Sequence, residues 1–343
     1  MRRLTRTIAT AALVTALVLV TGCSGSDDAK EPGGDGAASL EKVSYLTSFG
    51  NFGRDSYALV AKDKGFFKQS GFDVDVKPGG GTNDVIKHVV SGAADFGVID
   101  LTGGLLQMGQ GQAKDFVAVA AIHQRTMAAI VSLEGNNITS PKDLEGKTLA
   151  DTPASVVYNL FPTYAKLAGF DVNKVKWVHG DPQNLMGMLA AEKVDGIGQF
   201  VVGKPTVETV AKGKKAALLP YSDVMTDLYG NALIVSAKMA KEKPEMVRKF
   251  TEALLQGLEY SIDHPQESGE ILAKNVPATN AEAAAAELEL MAAFVRSAGS
   301  GAAVGTLDSQ RLARAIAILQ GAGAIEPGLT PEQVVDFELA PKS

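Results

Sequence analysis

The sequence predicts an α/β protein made of two similar lobes, and three observations carry that reading. From Val43 onward, short β-branched or aromatic runs alternate with stretches of helical periodicity, which is the pattern of βαβ units around a largely parallel sheet. Gly71-Phe72-Asp73-Val74 recurs as Gly169-Phe170-Asp171-Val172, and Ala94-Asp95-Phe96-Gly97 is echoed by Val194-Asp195-Gly196-Ile197, at offsets of 98 and 100 residues. An amphipathic helix lies between the marks in each copy, over Asn83 to Ser91 and over Asn184 to Glu192. Gly-Phe-Asp is also ordinary punctuation between a helix and a strand, so the repeat supports two like lobes without proving them. Finally, Asn231 to Ser236 reads as the segment that returns to the first lobe, so the chain crosses between lobes twice and forms a hinge.

In chain order, Arg2, Arg3 and Arg6 precede an apolar run from Ile8 to Val20, the small pair Thr21-Gly22 and Cys23. The run is short for a membrane span, the arginines suit the cytoplasmic side, and small residues fit a peptidase groove. Residues 1–22 read as a lipoprotein export signal. Val20-Thr21-Gly22-Cys23 resembles the lipobox of bacterial lipoproteins, without its preferred leucine and its serine or alanine. The resemblance implies that the Cys23 thiol takes the lipid; the alternative is a chance thiol in a cleaved signal peptide. Residues 23–41 are too poor in apolar side chains to fold and read as a flexible tether.

Val43 to Leu46 reads as a strand, Ser56 to Gln69 as a helix ending before Gly71, and Val74 to Val76 as a strand. Val85, Ile86, Val89 and Val90 form one helical face; Phe96 to Ile99 reads as a strand, Leu105 to Gln110 as a helix, and Phe116 to Ile122 as a strand. The apolar stretch Met127 to Leu133 and the turn Glu134-Gly135-Asn136-Asn137 then lead into the second lobe. There Thr148 to Ala150 and Ala216 to Leu219 read as strands. The first lobe is assigned residues 42–126 and 232–343, the second 127–231. Pro244 to Asp263 is amphipathic and stopped by His264-Pro265, and Ala281 to Arg296 is rich in alanine and glutamate. Both helices are expected to wrap the first lobe.

The chain is 45% hydrophobic and 21% charged, with 39 acidic against 33 basic side chains, so it has no basic field to hold nucleic acid. Cys23 is the sole cysteine, so no intramolecular disulfide is possible and redox chemistry is not expected. His88, His123, His179 and His264 are scattered, without ligand spacing, so neither a metal nor a cofactor is expected. There is no Gly-x-Ser-x-Gly elbow, and Gly79-Gly80-Gly81-Thr82 lacks the lysine of a phosphate-binding loop. That loop follows a strand and precedes a helix, so its amides could hold an anionic or carbonyl group, or it is simply a turn.

Four stretches, taken in order, resemble the solute-binding proteins of nitrate/sulfonate/taurine-type ABC importers. They are Lys62-Asp63-Lys64-Gly65-Phe66-Phe67, Ser91-Gly92-Ala93-Ala94-Asp95-Phe96-Gly97, Asp143-Leu144-Glu145-Gly146-Lys147-Thr148 and Lys193-Val194-Asp195-Gly196, and the likeness extends over most of residues 42–270. The resemblance implies a type II periplasmic-binding fold, a ligand held between two α/β lobes, and docking on a permease with its ATPase. It also implies a lipid-anchored monomer on the extracytoplasmic face of the cell membrane, and no catalysis. The motifs themselves are expected to be structural, with Asp95 capping or turning into its strand.

Ligand contacts are expected from loops at the carboxyl ends of strands, where an open α/β sheet leaves its crevice. Phe49, Asn51, Arg54 and Asp55 stand in the first such loop; Arg54 could clamp an anionic group through two parallel hydrogen bonds, with Asp55 capping a helix or neutralising Arg54. Thr82, Asp100, Thr102 and Gln124 follow in the first lobe. Thr152, Ser155, Tyr158, Gln199 and Phe200 are the candidates in the second, and Tyr229 and Asn231 those on the hinge return. Turns collect such residues for capping and packing as well.

The family includes importers of small anions and of heteroaromatic vitamin precursors. Phe49, Phe52, Tyr158, Phe200 and Tyr229 offer faces for flat rings, with amides and hydroxyls to read ring edges, which favours a thiamine pyrimidine precursor or riboflavin. Arg54 with Arg125 would instead suit a sulfonate, taurine or nitrate. Related folds also make the thiamine pyrimidine, but that enzyme family carries a cysteine-rich motif and a reactive histidine, and this chain has no cysteine beyond Cys23. A sensor or effector module would need an output domain, and none is evident.

Overall fold

The structure is a computed structural model that describes residues 39–153, 155–296 and 303–342. The export signal, Cys23 and the tether up to residue 38 lie outside the described residues. The strands are β1 (Glu41–Leu46), β2 (Phe72–Lys77), β3 (Phe96–Asp100), β4 (Phe116–Ala121), β5 (Ala128–Leu133), β6 (Thr148–Asp151), β7 (Lys176–His179), β8 (Gly196–Phe200), β9 (Ala216–Pro220) and β10 (Asn231–Ser236). They form two sheets of five, ordered β2-β1-β3-β10-β4 and β7-β6-β8-β5-β9. Each sheet is parallel except for one strand, β10 in the first and β5 in the second, and each odd strand sits fourth in its sheet.

The repeat seen in the sequence has a structural counterpart. Asp95 accepts from the Ser44 amide at 2.8 Å and sends its own amide to the Ser44 carbonyl, tying the approach to β3 onto β1. Asp195 does the same for β8 and β6 through Thr148, at 2.7 Å. The aspartates therefore fasten neighbouring strands in each lobe; the role of Asp95 is structural, but it reaches across to β1 rather than capping or turning its own strand. The copies differ at Gly-Phe-Asp: Phe72 enters β2 directly, whereas Phe170 is followed by a 3-10 turn, Val172–Lys174, before β7.

Helices α1 (Tyr57–Asp63), α2 (Phe66–Gln69), α3 (Thr82–Ser91) and α4 (Leu101–Gly109) belong to the first lobe; α5 (Val156–Ala168), α6 (Pro182–Ala190) and α7 (Lys204–Val210) belong to the second. The single helix expected over Ser56 to Gln69 is two, because Gly65 adopts φ 81°, a left-handed conformation that ends α1. The apolar stretch Met127 to Leu133 does not merely precede the second lobe. It supplies β5, buried along its whole length between β8 and β9.

After β10 come α8 (Ala237–Glu242), α9 (Pro244–Asp263), α10 (Pro265–Asn275), α11 (Ala281–Val295), α12 (Ser309–Ala322) and α13 (Pro331–Val334). Helix α9 buries Val247, Phe250, Leu254 and Leu258 against the first sheet, a stripe at helical spacing. Phe250 is the hub, with ring centroids 3.7 Å from Phe96 and 5.0 Å from Phe67. Helix α11 joins the same core through Leu288, Met291 and Val295. Helix α12 serves both lobes: Leu312, Ile316 and Leu319 share a core with Tyr164 and Tyr221 of the second lobe, and Lys166 donates to the Gly321 carbonyl at 2.9 Å.

Candidate ligand cleft

The loop after β1 folds back onto the glycine loop after β2. The Gly50 amide donates to the Gly79 carbonyl and the Gly81 amide to the Ser48 carbonyl, at 2.9 and 3.1 Å. The approach is so close that a Cβ on Gly79 would stand 2.0 Å from the Thr47 carbonyl oxygen, so glycine is required there for proximity. The half-buried Phe49 ring lies against Gly81 and runs parallel to Phe52, their centroids 6.4 Å apart. Arg54 continues the row, its guanidinium 4.3 Å from the Phe52 ring centre and 5.2 Å from that of Phe200, which enters from the second lobe at the end of β8.

Arg54 is 4% exposed. Two carboxylates flank it, Asp55 at 3.6 Å and Glu287 of α11 at 4.0 Å; these are ion pairs rather than hydrogen bonds. Burial pushes both carboxyls up, against the opposing pull of Arg54. Asp55 accepts from the Ser48 hydroxyl at 2.6 Å, while its Oδ2 and the Arg54 Nε have no hydrogen-bond partner. His123 is fully buried, and its Nδ1 accepts from the Asn231 amide at 3.2 Å, which places the imidazole proton on Nε2. Burial and then the nearby Arg54 charge pull its pKa down to about 3, so the ring is neutral. His123 Nε2 and Asn231 Nδ2 are also without partners. The first lobe thus carries buried, unpartnered donors and an acceptor at the strand ends that face the hinge.

Across the cleft, Asp151 closes β6 and its side chain lies against Gly198 of the neighbouring strand β8: a Cβ on Gly198 would fall 1.9 Å from Asp151 Oδ2. Burial, only partly offset by hydrogen bonds at the start of α5, raises the Asp151 pKa to about 6. Tyr158 stands edge-on to Trp177 and His179, at 5.1 and 5.0 Å. Between the lobes is a cavity of about 260 Å³, reached by Thr82 and Asn83 from α3, Gln107 from α4, Gln110 just past the end of α4, and Val156 and Asn159 from α5.

Of the residues expected at the cleft, Phe49, Arg54 and Phe200 are brought together by the row of rings, and Thr82 lines the inter-lobe cavity. Asn51 is half-buried beside them. Others are held in packing bonds. Asp100 caps α4, accepting from the Gly103 amide at 2.9 Å, with burial lifting its pKa to about 6. Thr102 donates to the Tyr229 carbonyl at 2.9 Å, the Tyr229 hydroxyl accepts from the Asp308 amide at 2.9 Å, and Gln124 donates to the Thr306 carbonyl at 3.0 Å. Ser155 caps α5 through the Val157 amide, Gln199 accepts from the Phe200 amide, and Thr152 donates its amide to Asp151. Arg125, the second cation, donates to the Ala293 carbonyl at 3.0 Å and covers the Phe294 ring.

Two residues escaped the sequence reading. Glu287 sits on the apolar stripe of α11 with Ala284, Leu288 and Met291, and an acid on such a stripe signals a buried cation. Arg311 of α12 has no such mark. Its guanidinium lies 4.0 Å from the Tyr229 ring centre and donates to the Gln124 carbonyl on one crossing and to the Asp227 carbonyl, at 3.2 Å, on the other. Among the described residues no three His, Cys, Asp or Glu side chains group as a metal site, and no helix is long and apolar enough to cross a membrane.

The NMT1/THI5-like family model matches residues 56–268. The chain belongs to this family. It is 24% identical to the formylaminopyrimidine-binding protein of Halalkalibacterium halodurans, over 70% of this chain and 72% of that protein. It is also 24% identical to the riboflavin-binding protein RibY of Chloroflexus aurantiacus, over 76% of each. A 4-amino-5-hydroxymethyl-2-methylpyrimidine phosphate synthase of Saccharomyces cerevisiae is 22% identical, over 66% of this chain and 69% of the enzyme. Among solved structures, the aliphatic sulphonate binding protein SsuA of Escherichia coli superposes with a TM-score of 0.68 at 14% identity, covering 87% of this chain and 92% of SsuA. The fold of this NMT1/THI5-like protein is therefore the two-lobed periplasmic-binding fold, as the sequence led us to expect.

Proposed function

We propose that this protein is the extracytoplasmic solute-binding component of an ABC importer, anchored through a lipid on Cys23. It captures a small heteroaromatic ligand, a thiamine pyrimidine precursor or a flavin, between its lobes and passes it to the permease and ATPase. The observation that carries the ligand class is the row Phe49, Phe52, Arg54, Phe200, which crosses from one lobe to the other with carboxylates flanking the only cation in it. Flat rings stack on such faces. Closure follows if contacts from both lobes form only when they meet on the ligand.

A small anion is less well served. Arg54 is offset by Asp55 and Glu287, and Arg125 is spent on a carbonyl and a ring, so a sulfonate or nitrate would meet carboxylates along with its cation. The named functions of the Halalkalibacterium and Chloroflexus relatives support a heteroaromatic ligand. A pyrimidine-forming enzyme is disfavoured because the resemblance gives that enzyme a cysteine-rich motif, whereas the sole cysteine here is Cys23.

Calorimetry with riboflavin, an aminopyrimidine, taurine and nitrate tests the reading. Phe200→Ala or Tyr158→Ala should weaken binding of a ring ligand by about 1–3 kcal/mol, by analogy with base stacking. Tight taurine or nitrate binding that Arg54→Ala or Arg125→Ala abolishes would replace it with the anion reading. Cys23→Ser should prevent incorporation of labelled lipid; a variant still labelled and membrane-bound would remove the anchor.

A further inference from the structure

The cavity between the lobes has a lining unlike the rest of the cleft. It opens beyond the carboxyl ends of β2, β3 and β6, measures about 260 Å³, and is bordered by five carboxamides, Asn83, Gln107, Gln110, Gln112 and Asn159. No ionisable side chain lines it among the described residues, although 21% of the chain is charged. Leu106 and Val156 add apolar walls. Gln110 donates to the Ala324 carbonyl and Asn159 to the Pro153 carbonyl, whereas Asn83, Gln107 and Gln112 make no side-chain hydrogen bond to another described residue.

The cavity also continues the row of rings. Phe49 lies against Gly81, Gly81 precedes Thr82, and a Cβ on Gly103 would stand 3.1 Å from the Thr82 hydroxyl; Thr82 and Gly103 both line the cavity. A ring resting on Phe49 would therefore lie one residue from Thr82, which borders this cavity.

Resting on the heteroaromatic reading above, we infer that this cavity is a second subsite, and that it takes a neutral, hydroxylated chain carried by the ring. The chemistry is reciprocal. A carboxamide offers a donor and an acceptor, as a hydroxyl does, so three unengaged amides can each exchange bonds with a polyol without a charge to desolvate. An anionic tail would find no cation among these liners, and a cationic tail no carboxylate. Leu106 and Val156 would cover the carbon side of the chain. Asn83 and Gln107 come from one lobe and Asn159 from the other, so the tail would be read only between closed lobes.

The test compares riboflavin with lumiflavin, the same ring system with a methyl group in place of the ribityl chain, by calorimetry at low and high salt. We expect riboflavin to bind at least about tenfold more tightly, since several tail hydrogen bonds are offered and each adds a modest net gain. Asn83→Ala and Asn159→Ala should bring the riboflavin-to-lumiflavin ratio close to one, and salt should leave it unchanged. Equal affinities in the native protein, or a ratio untouched by both variants, would overturn the subsite, as would binding of an aminopyrimidine but neither flavin; in each case the heteroaromatic reading stands. Binding of taurine or nitrate and of no ring compound would overturn both.

Discussion

Arg54 of the first lobe faces Phe200 of the second at 5.2 Å, while Glu287 of α11 approaches the same guanidinium at 4.0 Å from within its own lobe. One buried cation therefore joins the C-terminal helices, the first-lobe loop and the second-lobe strand end.

Removing the cation should expose what it compensates. Arg54→Ala leaves Asp55 and Glu287 buried and facing each other, so we expect a loss of about 3–5 kcal/mol in denaturant unfolding. The double variant Arg54→Ala/Glu287→Gln should recover part of that loss. Additive losses would show that the two side chains are not coupled.

Arg311 ties the two hinge crossings through carbonyls of Gln124 and Asp227, and Arg314 reinforces it with a paired contact to the Asp227 carboxylate at 3.0 and 3.1 Å. Arg311→Ala should speed amide exchange at residues 123–126 and 227–231 well before global unfolding. Arg311→Lys should fail to restore protection, because a lysine cannot present the planar fork that spans both strands. Unchanged exchange in both variants would assign the hinge's rigidity elsewhere.

Burial raises Asp151 from an ordinary 3.8 to about 6, so between those values the folded protein holds a proton that the unfolded chain releases. Stability from this group is therefore greatest at low pH and falls as pH rises through about 4–6. His123 acts the other way: lowered from 6.5 to about 3, it costs stability as pH falls below 6.5, where only the unfolded chain takes up the proton. Relative to the native protein, Asp151→Asn should melt at progressively higher temperature as pH rises from 4 to 7. A difference that does not change with pH would mean Asp151 ionises normally.

Phe250 gathers Phe96, Phe67, Phe72 and Tyr45 around one ring. Phe250→Ala should cost about 3–5 kcal/mol, and Phe250→Leu clearly less, because it refills most of the space. Equal losses from both would point to ring stacking rather than volume.

Most of the first sheet was legible because its strands are short apolar or aromatic runs between turn signals, whereas in the second only β6 and β9 were read as strands; β7, Lys176–His179, is largely exposed and carries no apolar run. Asn231–Ser236 and Pro244–Asp263 have the ends the sequence predicts. Gly65 belongs to a motif expected to be structural, but its left-handed φ, which divides the helix expected over Ser56 to Gln69, depends on the tertiary path. At the site, the loop of Phe49 and Arg54 could be found from its place after a strand. Asp100, Thr102 and Tyr229 stand at equally suitable positions, yet their polar atoms are used in capping α4 and tying the hinge. Arg311 could not be found, because most of its hydrogen-bond partners are main-chain carbonyls, which leave no trace in sequence.

The strand order of the sheets also sets the order in which they can be completed. All five strands of the second sheet lie within Ala128–Pro220, so that sheet has every partner as soon as this segment exists. In the first, the one strand that β4 pairs with is β10, whose residues Asn231–Ser236 follow the entire second lobe, and its other side carries an isolated bridge to Val335, later still. A chain emerging from its amino end must therefore hold Phe116–Ala121 with an unsatisfied edge until about a hundred more residues have appeared, a long-range pairing of the kind that slows folding. The lobe that begins first is the last that can close its sheet.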